Sequence, residues 1–246
     1  MRSDRIILGT GAFGSVYSSY SKNRETWVAE KCFENETDLR REVHVIQNLG
    51  AHPNILDLLE IDWRNLSFSM PIIAQSLQEI ILDQKPDGLS FNFIEHVTKQ
   101  IYSVLVHLEN RLMVHSDIKP ANVMVSAENC IYLIDWGLGG ALDEVAPRTP
   151  TLCYNYLPLN IRNGKKTADK YTDYFSLGML VILMSLRECY IPPDRFTPII
   201  FNTEYWPLLL NYTKKQRERI SIIVRCIVQG TEEATKTEIL RFLNYT

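Results

Sequence analysis

The sequence predicts an α+β protein with a small β-rich N-terminal lobe and a larger α-helical C-terminal lobe. Two observations carry this expectation. Runs of β-branched and aromatic residues separated by turn residues crowd the first third of the chain, and apolar residues at helical spacing dominate after about residue 75. The change of character at Ile73–Ser76 divides the chain into 1–73 and 74–246, and a seam between two such lobes is a natural place for a ligand cleft.

Strands are expected at Arg5–Leu8, Ser15–Tyr20 and Thr26–Phe33, joined by turns. Leu39, Val43, Ile46 and Leu49 recur with helical spacing, so a helix is expected over 36–49, stopped by Gly50. Two more strands follow near Leu56–Asp62 and Leu66–Ile73. Helical patterns then cover Ser90–Glu109, Asp173–Leu186, Thr213–Val228 and Thr235–Phe242, with short strands between them near Val123–Val125 and Ile131–Ile134.

With 46% apolar and 22% charged residues, the 246-residue chain has the balance of a globular protein with ample core material. A net charge of −3 gives no reason to expect nucleic acid or an anionic membrane as partner. Five scattered cysteines, without CxxC or Cys/His spacing, read as free thiols in a reducing compartment. Met1 leads straight into a strand-like segment without a signal-peptide pattern, so cytoplasm or nucleus is the expected location. The longest apolar run, Phe175–Leu186, is too short to span a bilayer and reads as a buried helix.

Four polar constellations stand out. In Gly9-Thr10-Gly11-Ala12-Phe13-Gly14-Ser15-Val16 the glycines let backbone N–H groups approach phosphates closely. The same spacing opens dinucleotide-binding units, but those need strand, loop and then helix. Here Ser15–Tyr20 continues as a strand, so the loop reads as a hairpin turn. Lys31, in Val28-Ala29-Glu30-Lys31, would reach phosphates if it faces inward; a surface strand lysine is the plainer alternative. Eleven residues on, Glu42 would either hold that ammonium or be a solvated helix residue.

The third constellation, His115-Ser116-Asp117-Ile118-Lys119-Pro120-Ala121-Asn122, is more specific. Asp117 can accept or orient a hydroxyl proton. Lys119 can neutralise a transferring phosphoryl group, and Asn122 offers an amide oxygen to Mg2+. The fourth is the apolar run Ile131–Ile134 ending in Asp135-Trp136-Gly137, eighteen residues past Asp117. A carboxylate at the end of a buried strand is placed to bind Mg2+, although Asp before Gly is also an ordinary turn. The four in this order point to phosphoryl transfer.

On these motifs the chain resembles the eukaryotic protein kinase family over essentially its whole length. The resemblance implies the bilobal kinase fold. It also implies ATP-dependent transfer of the γ-phosphate to serine or threonine hydroxyls of protein substrates by a monomer. The cofactors would be ATP and Mg2+, with Mn2+ able to take the same place. Gly9, Gly11 and Gly14 look like the glycine-rich loop, Lys31 like the lysine of VAIK, and Glu42 like its helix partner. His115–Asn122 is similar to HRDxKxxN, which makes Asp117 and Lys119 the catalytic pair and Asn122, with Asp135 of the DFG-like Asp135–Gly137, the metal ligands. Asp173-Tyr174-Phe175-Ser176-Leu177-Gly178 matches DxWSxG, where the Asp braces the catalytic loop. The adenine pocket maps onto Leu8, Val16, Ala29 and Met124, the gatekeeper onto Met70, and the hinge N–H onto Ile73. Lys119 and Thr151 match the Ser/Thr type.

The departures from the family pattern are informative. Ser116 stands where HRD has the arginine that pairs with an activation-loop phosphate, so loop phosphorylation is not expected to switch this protein. Trp136 replaces Phe. Pro158 takes the Glu position of APE and Glu233 the position of its Arg partner, so both members of a buried pair would be lost together. These losses keep open a second reading, a pseudokinase acting as a binding or scaffolding module. A kinase of small molecules on a related fold is a third. The short link between Lys31 and Glu42 marks a compact, divergent member.

Overall fold

A computed structural model of the chain describes residues 5–11, 13–83, 89–142, 170–186, 211–229 and 232–244. Strands β1 (Ile6–Gly11), β2 (Gly14–Ser21), β3 (Thr26–Cys32), β4 (Glu60–Asp62) and β5 (Ser67–Pro71) form an antiparallel sheet in the order β1-β2-β3-β5-β4. β1 runs beyond Leu8 because Gly11 still pairs with Gly14 across the hairpin. Gly14 has φ 141°, and a Cβ there would lie 2.0 Å from the Cys32 carbonyl oxygen, so only glycine lets the loop approach β3 this closely. The strand expected from Leu56 is confined to Glu60–Asp62. Its start is lost because Asn54 O accepts from Leu133 N at 3.0 Å, which ties the chain to the other lobe just upstream.

Helix α1 (Glu36–Leu49) starts at Asn35, whose side chain accepts from Asp38 N, and stops at Gly50 with φ 69°. It lays Leu39 and Val43 on Phe33 and Phe68, which makes a core belonging to the N-terminal lobe. Beyond Pro71 the chain passes to a second sheet, β6 (Gln75–Ser76), β8 (Val123–Val125) and β9 (Ile131–Leu133), ordered β6-β8-β9. Ser76 also opens α2 (Leu77–Leu82), a short helix the sequence pattern does not reveal, through a reciprocal capping box with Glu79.

The four long helices lie within a few residues of their expected positions: α3 (Phe91–Glu109), α4 (Lys170–Leu186), α5 (Lys214–Gln229) and α6 (Glu232–Leu243). α4 is buried on every side from Thr172 to Leu186 and forms the axis of the large C-terminal core. Two short strands, β7 (Met113–Val114) and β10 (Gly140–Ala141), pair beside it. No described helix is long and apolar enough to cross a membrane. Thr151 and Pro158 lie outside the described residues, as does the side chain of Glu233.

Candidate active site

Strand alternation turns Lys31 inward, where its side chain is 8% exposed. Its Nζ lies 2.8 and 2.7 Å from the two carboxylate oxygens of Glu42 and 2.8 Å from Asp135 Oδ1. Lys31 is therefore no surface lysine, and Glu42, 1% exposed, is no solvated helix residue. One cation thus serves two carboxylates, and this sets the electrostatics. Burial works against the Lys31 charge, but Glu42 and Asp135 together outweigh it and raise its pKa above the ordinary 10.5. Burial would raise the Asp135 pKa as well, yet Lys31 wins and holds it below 3.8. Glu42 receives what is left. Burial pushes it up to about 7 against the pull of Lys31, and a hydrogen bond from the Trp136 N–H favours its charged form.

The loop from His115 to Asn122 enters from below. Asp173 in α4 is buried, and its carboxylate accepts the His115 N–H at 2.7 Å and the Ser116 N–H at 2.8 Å. This clamp holds Ser116 in the left-handed region, φ 69°, which aims the next residue at the cleft. Lys119 Nζ donates to Asp117 Oδ2 at 2.8 Å, and the Asn122 amide donates to the same oxygen at 2.9 Å and to the Asp117 carbonyl at 2.9 Å. Asp117 Oδ1 is buried without a hydrogen-bond partner. Ile134 N donates to the Asn122 carbonyl at 3.0 Å, so the residue before Asp135 is fastened to this loop. Asp135 itself has φ 66°.

The remaining predicted residues lie mostly in the N-terminal sheet. Gly9, Gly11 and Gly14 lie on the β1–β2 hairpin, and Val16 pairs with Lys31 across β2 and β3. Ala29 pairs with Met70. Met124 comes from β8, where it pairs with Ser76, and Ile73 lies in the link between β5 and β6. Leu8 is 48% exposed at the rim. The ring of Phe13 reaches under the hairpin: a Cβ on Gly137 would lie 2.9 Å from it.

The family model described as the protein kinase domain matches residues 3–229. The chain belongs to the protein kinase family. It is 28% identical over 206 residues to mitogen-activated protein kinase 15 of Caenorhabditis elegans, covering 75% of this chain and 43% of that protein. It is 30% identical over 175 residues to calcium-dependent protein kinase 3 of Plasmodium yoelii yoelii, covering 61% and 32%. It is 26% identical over 251 residues to serine/threonine-protein kinase pakF of Dictyostelium discoideum, covering 92% and 20%. The kinase chain spans less than half the length of these relatives.

One residue of this kinase site escapes the sequence reading. His115 is fully buried: Nε2 donates to the Ile134 carbonyl at 3.0 Å, and Nδ1 accepts the Asp117 N–H at 3.1 Å. Its ring meets Trp136 edge-on at 4.5 Å. Burial lowers its pKa and keeps the ring neutral, which the acceptor role of Nδ1 requires. The sequence places it at the head of the His115–Asn122 motif but does not show that its ring joins Asp117 to Ile134.

Proposed function

We propose that this kinase is catalytically active and transfers the γ-phosphate of ATP to serine or threonine hydroxyls of proteins. The observation that carries the reading is the Asp117 carboxylate, with one oxygen engaged by Lys119 and Asn122 and the other buried without a donor. A buried acceptor left unpaired costs about 1–3 kcal/mol. That cost makes sense where a substrate hydroxyl supplies the missing donor. Asp117 then orients the attacking oxygen and takes its proton as the bond to phosphorus forms, and Lys119 offsets charge on the transferring group.

Asp135 Oδ2 and the Asn122 amide oxygen make no hydrogen bond to described residues, which suits hard oxygen ligands of a cation. Among the described residues there is no cluster of three or more His, Cys, Asp or Glu able to hold a metal. Mg2+ needs none, because it binds through one or two protein oxygens and the phosphates of its substrate. When bound, it would neutralise charge on the triphosphate. Lys31, held by Glu42, would meet the phosphates beneath Gly9, Gly11 and Gly14. Adenine would lie among Leu8, Val16, Ala29, Met70 and Met124, with the Ile73 N–H as donor, where lobes 1–73 and 74–246 meet. The serine/threonine designation of the pakF relative supports the acceptor class.

The test is incubation with radiolabelled ATP, Mg2+ and generic protein substrates, for the wild type and Asp117→Ala. Label on serine or threonine should fall by about 10²–10⁴-fold in the variant. ATP binding without transfer by the wild type would establish the pseudokinase reading instead. Label confined to a small molecule would establish the third.

A further inference from the structure

α1, the turn after α3, β7 and β10 enclose an open cavity of about 350 Å3 that takes no part in the chemistry above. His44, Val45 and Asn48 come from α1, Arg111 from the turn, Met113 from β7, and Gly140 and Ala141 from β10. Among the described residues that line it there is no carboxylate. The Arg111 guanidinium has no carboxylate partner among the described residues. Its polar contact is Nδ1 of His107 at 3.3 Å. His107 donates Nε2–H to the Leu49 carbonyl at 2.7 Å, so its Nδ1 is an acceptor and the ring holds Arg111 without neutralising it. His44 Nε2 accepts the Asn48 amide at 3.2 Å, which leaves the ring proton on Nδ1 for a ligand. Arg41 adds a positive charge one turn earlier on the same face of α1.

We propose that this cavity binds a phosphorylated side chain of a partner protein. A guanidinium fork on one wall and an imidazole N–H on the other match the three oxygens and near-double charge of a phosphomonoester. Val45, Met113 and Ala141 supply apolar surface for the carbons that bear it. The volume exceeds what a bare ion fills and falls at the lower end of the range, roughly 300–1,000 Å3, of small-ligand sites. The walls adjoin the catalytic machinery: His44 is two residues from Glu42, and Met113 is two from His115.

The experiment titrates the labelled kinase with N-acetyl-O-phosphoserine amide and follows the NMR signals of the His44 ring and the Arg111 side chain. A saturable shift in the millimolar range is expected, and none with N-acetylserine amide. Arg111→Gln should weaken binding about tenfold or more, and His44→Ala by less. Both side chains are exposed, so thermal melts of both variants should match the wild type. Binding at the ATP site would shift His115 instead, so a protein that fails to transfer phosphate can still pass this test. No saturable shift up to about 20 mM, equal affinity in Arg111→Gln, or inorganic phosphate binding as tightly as the phosphoserine probe would overturn the proposal.

Discussion

Asp173→Asn isolates the clamp under the catalytic loop. The native carboxylate accepts two backbone N–H bonds at 2.7 and 2.8 Å in a site that is 3% exposed. Asparagine keeps one acceptor oxygen and turns its NH2 toward the other N–H. One charge-assisted bond becomes neutral, a loss of about 1 kcal/mol, and one buried donor is left unpaired at about 2 kcal/mol. The sum, about 3 kcal/mol, corresponds to a fall of roughly 6–12 °C in melting temperature for a chain of this size. Function should suffer more than stability. With Ser116 released from φ 69°, Asp117 shifts, and a displacement on the order of 1 Å costs about 10²-fold in transfer. Differential scanning calorimetry and the label-transfer assay read the two effects. A variant that melts within about 2 °C of wild type and transfers within about twofold would show that the carboxylate does not hold the loop.

Lys31→Met removes the one cation between Glu42 and Asp135 and should cost about 3 kcal/mol at neutral pH. In that variant Glu42 titrates further above its ordinary value. The native state then binds a proton the unfolded chain has lost, so stability should rise as pH falls from 8 toward 5; denaturant midpoints that do not move with pH would contradict this. Ser116→Gly should raise the melting temperature by about 2–4 °C, because it relieves a left-handed backbone and deletes a buried hydroxyl without a partner; a lower melting temperature would count against it. Glu109 accepts hydrogen bonds from Lys236, Lys170 and Tyr174, which lower its pKa from the ordinary 4.5 to about 2. Its contribution is full above 4.5 and disappears as pH falls toward 2. Discounted for solvent it is about 1 kcal/mol, and Glu109→Gln should flatten that part of the acid-unfolding curve.

The α+β division and the long helices were legible because each carries its own periodicity, and α1 also carries its cap and its stop in Asn35 and Gly50. What escaped is made by partners distant in sequence. β6, β7 and β10 are two residues each and exist only through the strands they meet. α2 is one capping box and six residues, too short for a period to register. In the site, the chemistry of Lys31, Glu42, Asp117 and Asp135 could be read from residue type and order. That Lys31 would also bond Asp135 could not, because that contact closes over 104 residues. Nor could the left-handed backbone of Ser116, since serine is not among the residues that usually announce it.

The substitution at Ser116 changes what can reach the catalytic loop from outside. Ser116 is 1% exposed and uncharged, so it offers no cation to an anion on the protein surface. The loop is positioned from within instead: Asp173 holds its backbone, the neutral His115 ring ties Ile134 to Asp117, and the edge of that ring rests on Trp136. Each contact is buried and none needs a phosphate. The same ring that contacts Asp117 therefore also contacts the strand end bearing Asp135. A kinase wired this way keeps its loop ordered by packing. Glu42 of α1, the partner of Lys31, is the carboxylate here whose pKa burial raises, to about 7, against the pull of that ammonium.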